Sequence, residues 1–354
     1  MPLERILIIS DAWHPQVNGV VRTLGTVAGL LRDRGHIVDV IGPDRFRTVP
    51  MPGYASIRLA ILPARKLARL VDAFGPDALH IATEGPLGLA ARRLALARGW
   101  RFTTSFHTRF AEYLHARTRM PVALSYAWLR RFHAPAAGMM VATPSLREEL
   151  AARGFRNLRP WTRGVDLARF QPEPRENWPF PRPVFLNVGR VAVEKNLAAF
   201  LALDLPGSKV VVGDGPQRAA LERSFPRTHF VGERHGEALS RAYAGADAFV
   251  FPSRTDTFGL VLLESLACGT PVAAYPVTGP KDVLREACTG ALDTDLRAAA
   301  LRVLGADRAA CRAHAERFSW AACADGFVSN LVPMRLAAPS GPELWDDVAS
   351  SDKR

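Results

Sequence analysis

Short apolar runs alternate with amphipathic stretches along most of the chain. Residues 4–10 form one such run. Val20, Leu24, Val27 and Leu31 then recur at helical spacing until Gly35, and a second run covers 36–42. The chain therefore opens on a strand–helix–strand unit. Runs at 57–62, 78–83, 102–107 and 138–143 predict further strands, with helices over about 64–74, 86–98, 122–133 and 145–153. The pattern restarts with strands at 184–189, 209–213, 228–232, 248–251 and 272–275 and helices over about 195–203, 216–225, 237–245, 258–267 and 280–287. Apolar strands that alternate with helices predict parallel sheets buried on both faces. The expected fold class is α/β, with two Rossmann-like, doubly wound domains facing each other across a cleft.

Between the halves, residues 171–183 hold five prolines and read as a stiff linker. The expected domains are 1–170 and 184–317. A last amphipathic helix covers 318–331, within a segment 318–333, and carries Phe318, Ala321, Ala322, Phe327 and Leu331 on its apolar face. A polar tail, 334–354, follows.

Composition narrows the class. The 354 residues are 48% hydrophobic and 23% charged, ordinary for a globular protein. No run of 18 apolar residues exists, and the first strand begins at once, without the layout of a signal peptide. Cys268, Cys288, Cys311 and Cys323 form no C-x-x-C pair, so a reduced, cytoplasmic protein without disulfides or zinc is expected. The net charge of +12 is partly local: residues 64–133 hold twelve Lys or Arg against four Asp or Glu. Such a surplus suits an anionic partner, whether nucleic acid, lipid or a phosphorylated substrate. An arginine-rich composition without functional meaning explains it as well.

The chemistry concentrates in residues 248–277. An apolar strand ends at Pro252, and a helix starts near Phe258. Asp256 stands just before that helix and Glu264 two turns inside it. A helix start at the carboxyl edge of a parallel strand offers free N–H groups to an anion, and Gly259 lets a ligand approach the backbone. The two carboxylates could accept hydrogen bonds from hydroxyls. A sugar nucleotide has that pattern; plain capping by Asp256 and a solvated Glu264 fit the spacing equally. Arg190 at a strand end and Lys195 at the next helix start suit a diphosphate leaving group, although Lys195 could simply pair with Glu194 at the surface. His107 ends a strand that faces the cleft, where it could bond a sugar hydroxyl or pack as a satisfied core histidine. Glu84, Asp11 and His14 are weaker candidates at neighbouring strand ends. Asp293 and Asp295 match a D-x-D metal signature but read as helix capping. One glycine, Gly19, in the first turn argues against a G-x-G-x-x-G dinucleotide site.

Gly19, His107, Arg190 with Lys195, and Asp256-x7-Glu264 together resemble the retaining GT-B glycosyltransferases of family 4, over nearly the whole chain. That family usually has Glu where Asp256 stands. Ser-Arg-Thr-Asp-Thr-Phe-Gly, Val-Pro-Met-Pro-Gly-Tyr (49–54) and Thr-Ser-Phe-His-Thr (104–108) are similar to its GDP-mannose-dependent α-mannosyltransferases and its diacylglycerol or sulfolipid glycosyltransferases. The resemblance implies that Arg190 and Lys195 bind the donor diphosphate and Glu264 the ribose. Asp256 and the amides of Phe258, Gly259 and Leu260 would hold the donor sugar and β-phosphate, with His107 at the sugar and Gly19 at the phosphate. His107 and Asp256 would be the catalytic pair. The helix at 318–331 would cross back to the first domain. The implied donor is a UDP- or GDP-hexose, with no metal or other cofactor.

The acceptor should then lie on the first domain. Arg65, Lys66 and Arg69 on one helix, and Tyr126, Trp128, Arg130 and Arg131 on another, suit an anionic membrane surface. The expectation is a peripheral enzyme on the inner face of the cell membrane, glycosylating a lipid such as diacylglycerol. Rivals are a mannosyltransferase acting on a polysaccharide or soluble acceptor, a sugar-nucleotide epimerase, and a non-enzymatic basic nucleic-acid-binding module. The last lacks any helix-turn-helix, RNP or zinc pattern, so no nucleic-acid partner is expected.

Overall fold

A computed structural model describes residues 3–16, 18–51, 54–284 and 289–335. The first half contains β1 (Arg5–Ile9), α1 (Gly19–Asp33), β2 (Ile37–Ile41), β3 (Thr48–Met51), β4 (Tyr54–Ala60), α2 (Ala64–Phe74), β5 (Ala78–Ile81), α3 (Pro86–Ala97), β6 (Thr103–Phe106), α4 (Phe110–Thr118), α5 (Val122–His133), β7 (Gly138–Val141), α6 (Pro144–Ala152) and β8 (Leu158–Pro160). Six of these strands pair in parallel in the order β2-β1-β5-β6-β7-β8. The second half continues with β9 (Val184–Val188), α7 (Leu197–Leu201), β10 (Ser208–Val212), α8 (Arg218–Ser224), β11 (Thr228–Phe230), α9 (Gly236–Gly245), β12 (Ala248–Phe251), α10 (Leu260–Ala267), β13 (Val272–Ala274), α11 (Pro280–Val283), β14 (Gly290–Leu292), α12 (Leu296–Arg302), α13 (Arg308–Ala315) and α14 (Trp320–Asn330). Its six strands pair in parallel in the order β11-β10-β9-β12-β13-β14. Both sheets are doubly wound, with strand order reversing beside β1 and beside β9.

The apolar run at 57–62 does not join the main sheet. Its strand, β4, pairs antiparallel with β3 in a separate two-stranded sheet. A parallel partner would need a crossover of a dozen or more residues, usually a helix. The stretch after β2 has only a short 3-10 turn at Pro43–Arg45, so a local hairpin forms instead. Sequence periodicity also missed β8, whose three residues end in a proline that a sheet edge tolerates, and the helices α4 and α13. Pro52 and Gly53 of the 49–54 motif, the end of the 280–287 helix, Cys288 and the tail from 336 lie outside the described residues. Cys268 and Cys323 are buried free thiols, and Cys311 is buried as well.

Each sheet is covered on both faces. In the first half, Ile6, Ile8, Leu24 and Val27 bury one face together with Cys323, Ala324 and Phe327 of α14. The last helix therefore completes the first core rather than the second. Trp161, just after β8, anchors it: its indole Nε1 donates to the Cys323 carbonyl at 2.9 Å, and its ring lies 5.1 Å from that of Phe327. Ser319 caps the helix by accepting from the Ala322 N–H. The proline-rich segment packs as part of the second half, because Trp178 is buried with Phe170 and Val184 in that core. Phe180 stacks on His229 at 3.7 Å.

Phe327 is fully buried between sheet and helix. Phe327→Ala should cost about 3–5 kcal/mol through lost transfer and a residual cavity. Urea denaturation followed by the fluorescence of nearby Trp161 checks this, and an unshifted midpoint would show that α14 is not a tie.

Candidate active site

The carboxyl ends of β9 and β12 flank the point where strand order reverses in the second sheet. Each strand delivers a loop there. The chain leaves β9 through Gly189 and Arg190 and makes a 3-10 turn, Val193–Lys195. It leaves β12 through Pro252 to Gly259. The β9 loop packs backbone to backbone on the next turn: a Cβ on Gly213 (φ +146°) would lie 1.9 Å from the Gly189 carbonyl oxygen, so only glycine fits. A pocket between the loops is lined by Gly189, Arg190, Lys195, Phe251, Ser253 and Val261.

Lys195 and Asp256, 61 residues apart, meet in that crevice. Lys195 Nζ donates to Asp256 Oδ1 at 2.6 Å. The other carboxylate oxygen, Oδ2, is buried and has no hydrogen-bond partner among the described residues. Asp256 thus neither caps α10 nor sits in solvent, and Lys195 is not held by Glu194 alone. Burial opposes the charge on Lys195, but the Asp256 carboxylate overrides it, helped by Tyr113 and Glu194, and the amine is held above its usual 10.5. Tyr113 of α4 reaches this pair from the first half. Burial above all pushes the pKa of its hydroxyl up to about 12.

Helix α10 begins one residue past Gly259, which takes φ +85°, a conformation that suits glycine. The expected start at Phe258 moves because Phe258 turns inward, 5% exposed, into the second core. Among the described residues no side chain caps α10, so its N-terminal partial positive charge is directed at the crevice. Opposite stands the start of α1: a Cβ on Gly19 would lie 3.6 Å from Leu260 Cδ1. The two helix starts differ, since Asn18 Oδ1 already accepts from the Val20 and Val21 amides. The better place for an anion is therefore α10.

Glu264 is not the solvated residue that helix periodicity allows. It is 3% exposed and its two oxygens are engaged separately. Arg22 of α1 forms a close ion pair with Oε1, and the Tyr243 hydroxyl donates to Oε2 at 3.0 Å. Sequence reasoning missed Arg22, which sits on the polar side of an otherwise regular amphipathic helix. His107, at the end of β6, meets the β12 loop through its backbone: Thr257 Oγ1 donates to its carbonyl at 2.7 Å. His107 is half-buried; its Nε2 is buried and has no partner among the described residues. Burial first, then the nearby Arg163 and His80, hold its pKa well below 6.5.

A model of Glycosyltransferase Family 4 matches residues 17–169, and one described as Glycosyl transferases group 1 matches 182–305. A GDP-mannose-dependent alpha-mannosyltransferase of Mycobacterium tuberculosis is 33% identical, over 81% of this chain and 83% of its own. The chain belongs to glycosyltransferase family 4. Other relatives of this glycosyltransferase include a sulfoquinovosyl transferase of Arabidopsis thaliana, 30% identical over 91% of this chain and 72% of its own. An alpha-monoglucosyldiacylglycerol synthase of Streptococcus pneumoniae is 26% identical, over 85% and 78%. Sucrose-phosphate synthase from Thermosynechococcus elongatus shares the GT-B fold with a TM-score of 0.72 at 21% identity, over 92% of this chain and 98% of that one.

Of the weaker candidates of the glycosyltransferase, Asp11 and Glu84 support its interior, whereas His14 and Asp295 are exposed. Asp11 is buried and accepts from Leu87 N, Gly88 N and Thr83 Oγ1, so it ties β1 to the start of α3. Glu84 accepts from buried His133 at 3.2 Å. His14 lies edge-on to Trp13. Asp295 caps α12, and Asp293 bonds the Asp295 amide and pairs with Arg302.

Because the amine of Lys195 is raised above its usual 10.5, its ion pair contributes fully below that pH and is lost only at higher pH. The glycosyltransferase should show no alkaline loss of rate from Lys195 below pH 10 in a pH–rate profile. Lys195→Ala should lower kcat/KM by about 10²–10³ with folding intact by circular dichroism.

Proposed function

We propose that the enzyme transfers a hexose, with retention, from a UDP- or GDP-sugar to a hydroxyl of a membrane lipid such as diacylglycerol. The observation that carries the donor half is the crevice at β9 and β12. An uncapped helix start, the Lys195–Asp256 pair and Arg190 lie together there. A diphosphate on the α10 amides would be stabilised by Arg190 and Lys195 as negative charge grows on it, without calling on a metal. Asp256 Oδ2 would accept from a sugar hydroxyl, and His107 would meet the sugar from the first half. Glu264 keeps lone pairs for ribose hydroxyls beside its bonds to Arg22 and Tyr243. The acceptor oxygen bonds C1 as the C1–phosphate bond breaks on the same face, and its proton passes to the leaving phosphate.

The acceptor half rests on α5. Leu124 and Trp128 are 62% and 40% exposed on its outer side, and Arg130 and Arg131 follow in its last turn. Tyr126 does not belong to that surface: it is buried, with its hydroxyl donating to Glu112 at 2.8 Å. Apolar side chains beside arginines fit the headgroup boundary of an anionic bilayer. No helix among the described residues is long and apolar enough to cross a membrane. The apolar and basic side of α5 supports reading the enzyme as peripheral, on the inner leaflet. A second reading, mannosyl transfer to a polysaccharide or soluble acceptor, draws on the 33% identity to a GDP-mannose-dependent enzyme.

Thermal-shift screening of UDP- and GDP-sugars identifies the donor, and transfer to diacylglycerol in mixed micelles tests the acceptor. The full chain should float with liposomes containing phosphatidylglycerol at low salt, and Leu124→Ser with Trp128→Ser should weaken flotation. Absence of flotation, or transfer to a soluble acceptor alone, would replace the lipid reading by the second one.

A further inference from the structure

Arg163 follows Trp161 after β8 and is 4% exposed, yet no carboxylate pairs with it among the described residues. It is held by neutral groups. Its Nη1 donates to the carbonyls of Trp161 at 2.7 Å and Thr162 at 2.9 Å, and its guanidinium lies 4.2 Å from the centre of the Trp161 ring. The remaining Nη2 reaches His107 Nδ1 at 3.3 Å. Guanidinium is a donor with no acceptor atom, so Nδ1 of His107 must present its lone pair. A neutral ring then carries its proton on Nε2, the buried nitrogen that has no partner in the described chain.

We propose that Arg163 is a positioning residue, which holds His107 in the Nε2–H tautomer and keeps it a hydrogen-bond donor to the donor sugar, never a base. This rests on reading the cleft as a sugar-nucleotide site. The ring is fixed from three sides. Trp161 meets it edge-on at 5.6 Å, Arg163 holds Nδ1, and Thr257 holds the His107 carbonyl. Two charged or titratable groups act on it, Arg163 and His80. Arg163 disfavours a second proton, and His80, held neutral near 3 chiefly by burial, brings no negative charge that would favour one. Cys323, which faces Arg163 from α14, is pushed up to about 11 by burial and stays a thiol. A second ring proton would place imidazolium against guanidinium, and beside a sugar carbon that gains positive charge as its bond to phosphate breaks.

The test uses the full chain labelled with ¹⁵N-histidine. In the wild type, His107 should show a protonated Nε2 and an unprotonated Nδ1 across pH 5–8, without titrating. Arg163→Met removes one of the causes that hold the ring neutral and should raise its pKa, while burial still keeps it below the ordinary value of about 6.5. In that variant kcat should fall by at least about tenfold, with the donor KM little changed and a new loss of rate at the acid end of the profile that the wild type does not show. Arg163→Lys, which keeps a donor, should recover part of kcat and the flat profile. A proton on Nδ1 or ordinary titration of His107 in the wild type would overturn the proposal, as would an Arg163→Met enzyme with wild-type kcat and pH profile. If Arg163→Met fails to fold, the wild-type spectrum and Arg163→Lys still decide. Should the wild type transfer no hexose at all, the functional reading fails, while the tautomer is still read independently.

Discussion

Glu264 lies about one turn into α10 at 3% exposure, and a carboxylate there is stable because Arg22, 242 residues earlier in the chain, reaches it. An unpaired buried carboxylate would cost several kcal/mol, more than one hydrogen bond from Tyr243 returns. The same condition governs Asp256, whose cation comes from the β9 loop rather than from its own helix. Charge pairing across elements therefore decides how the halves meet. α1 must present Arg22 to α10, and the two helix starts are drawn to the same spot. The cleft is the place where the chain balances charge between distant segments, and that balance prepares it for an anionic ligand.

Further contacts across the cleft are sparse and polar. Thr257 bonds the His107 carbonyl, and Asp282 accepts from the Ser145 amide and hydroxyl at 3.0 Å. Each is a hydrogen bond that water can replace, worth about 1 kcal/mol net. The cores within each half are apolar and continuous, so opening would break these contacts before it disturbed either sheet. Thr257 belongs to the loop that also carries Asp256, and Arg22 to the helix that starts at Gly19.

The support for His107 comes from farther away. Trp161 holds Arg163 against the ring and is itself held by the Cys323 carbonyl of α14. A helix from the end of the described chain therefore braces a side chain in the cleft. Packing of Phe327 stabilises the first core and, through Trp161, the geometry around His107. A buried cation without a carboxylate is tolerated here because carbonyl oxygens and an aromatic face replace its water.

Local pattern was enough for the two parallel sheets, because strands buried on both faces are written as apolar runs and their crossover helices as amphipathic ones. It also put Asp256, Glu264, Arg190, Lys195 and His107 at or near strand ends and helix starts, since these are local features. It misjudged β4, where the missing crossover mattered more than the apolar run, and passed over β8, too short for any period. Tertiary structure alone decided what each site residue touches. Lys195 could have met Glu194, Glu264 could have faced water, and Asp11 and Glu84 could have entered the cleft. Arg22, Tyr113 and Arg163 carry no local mark of their roles, because a charge or hydroxyl gains its meaning from partners that only folding brings near. The amino-acid pattern by itself determined the two sheets and the edges at which chemistry could occur. Folding decided the pairs, because the cost of burying a charge is settled by neighbours distant in sequence.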